Sequence, residues 1–161
     1  MKQSRTTKIT LSTWKGLSLE LAVIIYKVHL ISCVFMTGLI WLIQLVHYPS
    51  FDFIDRSIFH HFSVFHQRRI TWIVAPLMLM EAMTAASLVW IAPSQLFYWV
   101  NFIGVVGIWL TTIALSMPQH HQLSKGFSAT ALRKLVRTNW IRTALWSSRS
   151  IMLILYCGVQ L

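Results

Sequence analysis

Histidines carry most of the chemistry that this sequence offers, and they gather beside apolar runs. Residues 47–69 hold a cluster of them, and a further pair follows the apolar run that ends near residue 117. Imidazole is the commonest metal ligand in proteins. At about 100° per helical residue, His60, His61 and His66 cannot all face one ion, so at most two of them contribute. We predict an iron or copper site drawn from His47, His61, His66, His120 and His121. The alternative is that these rings lie at headgroup depth without a ligand.

Glu81 lies in the middle of an apolar run, where a carboxylate is costly and by default functional. At about 1.5 Å per residue, Glu81 lies about 16 Å along a helix from Ile70, and Arg149 about 15 Å from Asn139. Because both runs start at the same membrane face, the matching depths predict a Glu81–Arg149 ion pair. The alternative is a purely structural salt bridge that fixes the register of the helices.

A polar stripe follows in the segment 139–149, where four side chains fall within about 80° of one helix face. Its two arginines suit a carboxylate, a phosphate or a quinone carbonyl. Gln44, near the end of the first apolar run, lies at a similar depth. We predict catalytic roles for Glu81, Arg149, Arg142 and Asn139, and cofactor binding by Trp146 and Gln44. For Arg142 and Trp146 the alternative is anchoring at the lipid interface.

The elements that must position these residues are long uncharged runs. Of the 161 residues, 56% are hydrophobic and 11% are charged, whereas soluble domains average about 25% charged residues. This deficit leaves too little polar surface for a soluble globule. We therefore predict one integral membrane domain covering residues 1–161, with spans at about 19–46, 70–92, 96–117 and 141–159.

Four spans place the segments 48–69 and 118–140 on one membrane face. The first is rich in aromatic residues and indicates an interfacial helical cap, and the second indicates an interfacial loop. The predicted fold is therefore an all-α integral membrane four-helix bundle with a helical cap between spans one and two. This topology brings every histidine except His29 to the same side. It predicts a single polar pocket that opens to that face and has the ion pair as its floor.

The net charge of the chain is +10, which favours negatively charged partners. Its Lys and Arg residues lie beside apolar segments, which favours anionic lipid headgroups over nucleic acid. A hydrophobic small molecule is a further predicted partner. The sequence leaves open whether the protein forms an oligomer or belongs to a larger membrane complex.

The strings QLVHYPSF, FHQRRITWIVAPLMLMEA and NWIRTALWSSRS resemble those of small four-span bacterial membrane proteins without an assigned function. This resemblance covers most of the chain and implies a multi-pass protein of the bacterial inner membrane. More remotely, the short four-helix plan with Asn139, Arg142 and Thr143 in a late N-x-x-R-T element is similar to anthrone-oxygenase-like membrane proteins. That similarity implies an oxygenase-like role on a hydrophobic, polyketide-like substrate.

These observations predict a membrane-embedded oxidoreductase, oxygenase-like, with a His-rich and metal-binding interfacial pocket that acts on a hydrophobic substrate. The alternative is a non-enzymatic protein. It would be either an accessory subunit or a small proton-linked carrier in which Glu81 is the protonation site.

Overall fold

The computed structural model describes the backbone of residues 3–160 and the side chains of residues 20–158. Five α-helices form most of it: α1 Gln3–Leu42, α2 Phe59–Ile91, α3 Leu96–Thr111, α4 Met117–Leu123 and α5 Ala129–Gln160. A π-helical turn, Ile43–His47, extends α1, and another, Thr112–Ser116, joins α3 to α4. A 3-10 turn, Pro49–Phe53, follows the first π turn. Residues 3–160 include no β-strand, so the all-α prediction is confirmed.

Four long helical runs form a closed ring: α1, α2, the α3–α4 run and α5. α1 packs against α2 and α5, and α3 packs against the same two helices. The main core lies inside this ring and includes Cys33, Met36, Ile108, Trp146 and Leu153. Large apolar side chains also face outward from each run, among them Ile31, Trp72, Trp90, Leu110 and Leu155.

Three stretches of the described chain are long and apolar enough to cross a membrane: Glu20–Phe53, Phe59–Ile91 and Leu96–Leu123. α5, which contains the predicted fourth span, is not among them. Its hydropathy is lowered by five basic side chains: Arg133, Lys134, Arg137, Arg142 and Arg149.

The predicted interfacial cap, residues 48–69, is not a separate helix. Only the 3-10 turn and residues 54–58 connect α1 to α2, and residues 59–69 form about the first three turns of α2 itself. Residues 59–69 contain no Gly or Pro that would end a helix. Their side chains at Phe59, Ser63 and His66 are buried with helical spacing.

The predicted interfacial loop, residues 118–140, is also mostly helix. α4 occupies its start, residues 124–128 connect, and the remainder is the beginning of α5. Pro118 does not end the third helical run, because it lies in the first turn of α4, where a missing backbone N–H costs little. The predicted fourth span, 141–159, is therefore the later part of a longer helix.

Candidate functional site

A buried ion pair lies inside the helical ring. Arg149 Nη1 lies 2.6 Å from Glu81 Oε2, and both side chains are almost fully buried. The Trp146 indole N–H donates to Glu81 Oε1 at 3.1 Å. Arg149 Nε donates to Asn101 Oδ1 at 3.0 Å, and its Nη2 lies 3.2 Å from His29 Nε2. The predicted Glu81–Arg149 pair is confirmed, and it belongs to a larger network.

The donors and acceptors of this network match one another. Asn101 Nδ2 lies 2.7 Å from His29 Nε2, so Asn101 and Arg149 both donate to that nitrogen. The ring proton is then on His29 Nδ1, which donates to Thr84 Oγ1 at 2.7 Å, and Thr84 donates on to the Met80 carbonyl at 2.6 Å. None of these side chains has a buried polar atom without a partner in the described structure. The deep network, as we name it, consists of Glu81, Arg149, Trp146, Asn101, His29 and Thr84.

Each helix of the ring contributes to the deep network: α1 gives His29, α2 gives Glu81, α3 gives Asn101 and α5 gives Arg149. The arginine crosses close to α3 at Gly104, where an added Cβ would lie 2.7 Å from Arg149 Cδ. Any side chain at position 104 would therefore displace Arg149. The network ties the four runs together at one depth and so fixes their register.

A second polar group lies near the two π turns. His47 Nε2 lies 2.7 Å from His66 Nδ1, and the Tyr48 hydroxyl lies 3.1 Å from His120 Nε2. The ring centroids of His66 and His120 are 6.0 Å apart. Three of the five predicted metal ligands are therefore close neighbours. We refer to His47, Tyr48, His66, His120 and Arg142 as the histidine cluster.

The local backbone and an aromatic residue position the histidine cluster. His47 ends the first π turn, and His120 follows the second by about one helical turn. Such turns are rare and are frequently found at functional sites. Phe51 is fully buried and packs edge-on against His47 and His66, with ring centroids 5.3 and 5.2 Å apart. The short 3-10 turn thus holds the imidazole pair in place.

Arg142 joins the histidine cluster to the polar stripe of α5. Its Nη2 donates to Asn139 Oδ1 and, at 3.4 Å, to the Tyr48 hydroxyl. Its Nη1 lies 3.5 Å from Thr112 Oγ1, and Asn139 Nδ2 donates to Gln44 Oε1 at 2.7 Å. The predicted stripe therefore faces the bundle interior, with all four side chains buried: Asn139, Arg142, Trp146 and Arg149.

A cavity of about 450 Å³ lies beside the histidine cluster, within the usual range of ligand pockets. Much of its wall is apolar, including Met36, Ile40, Val74, Met78 and Trp109. Its polar lining includes Tyr48, Gln67, Thr112, His120 and Arg142. The cavity reaches the protein surface between α2 and the α3–α4 run, because exposed lining residues come from both. These residues are Thr71, Ile113, Met117 and His121.

Three buried polar atoms of the histidine cluster have no hydrogen-bond partner: His66 Nε2, His120 Nδ1 and Arg142 Nε. The Tyr48 hydroxyl accepts from Arg142, so its own proton is donated to His120 Nε2. The ring proton of His120 is then on Nδ1, and Arg142 Nε always bears a proton. Two donors of cavity-lining residues therefore lack acceptors. An unpaired buried donor costs about 1–3 kcal/mol, which a ligand with an acceptor atom would recover.

The residues present do not fit a three-ligand iron or copper centre. In the part of the chain that the structure describes, no group of three or more His, Cys, Asp or Glu side chains is arranged to hold a metal ion. His47 and His66 direct ring nitrogens at each other, which removes those atoms as ligands. His61 and His121 are exposed, and only His121 lines the cavity. The predicted metal site, drawn from His47, His61, His66, His120 and His121, gains no support from this geometry.

The single pocket expected from the sequence is divided into two polar groups. Glu81 and Arg149 do not line the cavity, so they are not its floor. Trp146 is the link, because it lines the cavity and donates to Glu81. The ion pair can act on a ligand only by positioning this indole.

Three important residues are missing from the sequence prediction: His29, Asn101 and Tyr48. His29 and Asn101 lie in apolar runs, and polar side chains there face the bundle interior as Glu81 does. The same rule, applied to every polar residue of a span, would have found them. Nothing in the sequence around Tyr48 distinguishes it from an interfacial tyrosine.

Comparison with family models, with curated proteins and with solved structures finds no match to this chain. The similarity to anthrone-oxygenase-like membrane proteins therefore stays a prediction.

Proposed function

We propose that the protein is a four-span integral membrane protein that binds a lipid-soluble molecule with a hydrogen-bond-accepting head. The cavity beside the histidine cluster is the binding site. The observation that supports this most is the pairing of a largely apolar wall with two unsatisfied donors, Arg142 Nε and His120 Nδ1. The resemblance described above adds an oxygenase-like oxidoreductase reaction on that molecule.

The surface of α5 supports a fourth span. Its 32 residues extend about 48 Å, which exceeds a hydrocarbon core of about 30 Å. Its two buried arginines point inward to partners, which is how charges are tolerated within a membrane. The exposed residues in its later part include the apolar side chains of Ile151, Ile154 and Leu155.

The mainly apolar lining of the cavity favours a quinone or a related aromatic ketone over a charged metabolite. A carbonyl oxygen accepts hydrogen bonds from an arginine and an imidazole N–H, and the apolar wall covers the ring system. The opening between α2 and α3 is lined by exposed apolar residues, Ile113 and Met117, so a ligand can enter from the lipid.

The carrier alternative has less support. Glu81 accepts hydrogen bonds from Arg149 and Trp146 and lies outside the cavity. A protonation site for transport needs access from both sides, and this carboxylate is 1% exposed within a fully bonded network.

Ligand binding is tested by quenching of tryptophan fluorescence with a short-chain naphthoquinone in detergent solution. Trp109 and Trp146 line the cavity, so we expect saturable quenching that falls in a Trp109→Phe variant. Arg142→Lys keeps the charge but removes Nε, and we expect affinity to fall about tenfold or more, the value of a charged hydrogen bond. The control is Arg137→Lys, an exposed arginine on the same helix. Equal affinities of the two variants would refute the proposed site.

The four-span topology is tested with reporter tags. Insertions within residues 54–58 and 124–128 should report the same compartment, and an insertion within 92–95 the opposite one. If the tags at 54–58 and 124–128 lie in different compartments, α3 does not cross together with α2 and the proposal fails.

A further inference from the structure

A second concave surface lies between the end of α1 and the start of α2. This groove has a volume of about 370 Å³ and its wall is mainly apolar. Its apolar residues include Leu39, Leu42, Phe65, Ile70 and Ile73. His47 and His66 also line it, so the imidazole pair lies at this groove, while His120 lines the cavity on the other side.

Arg69 lines the groove, and neither salt bridge found among the described residues includes it. All four acidic residues are among the described side chains. Glu81 pairs with Arg149, Asp52 with Arg56, and these are the salt bridges of the described structure. Arg69 is therefore available to pair with an anionic group of another molecule.

The guanidinium group of Arg69 lies toward the start of α2. Its guanidinium carbon lies 5.4 Å from the centre of the Phe65 ring, about one turn earlier in the helix. Helical side chains lean toward the N-terminus, and long basic ones extend toward the membrane surface. Below the charge, toward Ile73 and Leu39, the groove is apolar. This order, charge above and hydrocarbon below, matches that of a phospholipid in one leaflet.

His66 provides a second polar contact. The side chain is 7% exposed and lines the groove, its Nδ1 is bonded to His47, and its Nε2 has no partner. A buried ring nitrogen without a protein partner calls for a partner from outside the chain, and an ester or glycerol oxygen of a lipid is one that this groove can supply.

We infer that this groove binds one anionic phospholipid, with its phosphate on Arg69, a glycerol or ester oxygen near His66, and one acyl chain along Leu42 and Ile73. Along α2 the groove extends from Phe62 to Ile73, about 16 Å. Half of a hydrocarbon core of about 30 Å is similar. The inference requires the proposed membrane location but not the proposed ligand of the cavity.

The test is native mass spectrometry of the delipidated protein titrated with phosphatidylglycerol or phosphatidylcholine in detergent. We expect one phosphatidylglycerol to bind in preference to phosphatidylcholine. Arg69→Gln should weaken phosphatidylglycerol binding about fivefold or more, from about 1 kcal/mol per basic residue near anionic lipid. Arg68→Gln is the matched control, because Arg68 is adjacent and exposed but does not line the groove.

A second variant tests the apolar part of the groove without changing charge. Ile73→Trp should fill the groove and remove the bound lipid, whereas Leu79→Trp, at an exposed site on the same helix outside the groove, should not. Unchanged thermal unfolding shows that each variant is folded. Equal phosphatidylglycerol affinity of Arg69→Gln and Arg68→Gln, or no preference between the two lipids, would overturn the inference.

The two proposals can fail separately. Naphthoquinone quenching should be unchanged in Arg69→Gln, and lipid binding should be unchanged in Arg142→Lys. Loss of quinone binding with lipid binding intact would refute the cavity ligand only.

Discussion

The deep network and the histidine cluster are built from the same kinds of side chain and differ in how completely these are paired. In the deep network, Arg149, Asn101 and His29 use their side-chain donors and acceptors on one another, on Glu81 and on Thr84. In the histidine cluster, three buried ring and guanidinium nitrogens remain without partners. The first group closes on itself, and the second leaves atoms free beside a cavity and a groove.

This difference distinguishes the group that stabilises the fold from the group to which we assign ligand binding. A fully bonded buried network rigidifies the fold, whereas each unpaired polar group of a partly bonded one costs free energy. The deep network therefore locks the four helices, and the ligand binding that we propose is assigned to the histidine cluster. Charge made Glu81 and Arg149 catalytic candidates in the sequence. Charge alone, however, does not distinguish the deep network from the histidine cluster.

The largest effect should come from breaking the ion pair of the deep network. Glu81→Ala leaves Arg149 buried without its counter-charge, and we expect a loss of about 3–5 kcal/mol in the free energy of unfolding. The measurement is thermal or denaturant unfolding in detergent. The double variant Glu81→Met/Arg149→Met should be closer to wild type than Glu81→Ala is, because no unpaired charge remains. If Glu81→Ala unfolds like the wild type, the deep network does not lock the fold.

The same substitution made in each region gives a direct comparison. His29→Phe leaves Asn101 Nδ2 and Arg149 Nη2 without an acceptor, so we expect a loss of about 2–4 kcal/mol. His66→Phe removes one hydrogen bond and one nitrogen that was already unpaired, so we expect a change within about 1 kcal/mol. Both are read from unfolding curves under identical conditions. The reverse order would show that the histidine cluster, not the deep network, stabilises the fold.

The smallest effect concerns the space that Arg149 occupies. Gly104→Ala should destabilise by about 1–2 kcal/mol, because its Cβ meets Arg149 Cδ at 2.7 Å and the arginine is held by its hydrogen bonds. The matched control is Gly107→Ala, where the nearest atom is Leu145 Cδ1 at 3.5 Å. There we expect no loss, and a gain of up to about 1 kcal/mol from helix propensity. Equal melting temperatures of the two variants would contradict the close approach of Arg149 to α3.

Local rules predicted part of the site correctly. The depth of each charge along its helix predicted the Glu81–Arg149 pair, and helical angles predicted that only some of His60, His61 and His66 could join His47. Element boundaries were less predictable. Aromatic residues and Pro118 suggested a cap and a loop, but α2 already begins at Phe59, and α4 and α5 occupy most of residues 118–140, because burial of one face of α2 and α4 stabilises helix there.

The sequence by itself determined the helical class, the three strongly apolar runs and the positions of Glu81 and Arg149 along their helices, because these follow from composition and from a fixed rise per residue. Only the tertiary structure decided which polar atoms find partners. Pairing depends on angles and distances of less than an ångström between helices that are far apart in the chain. For that reason only the structure shows that His29 is hydrogen-bonded to Arg149 and that His66 and Arg142 each have a nitrogen without a partner.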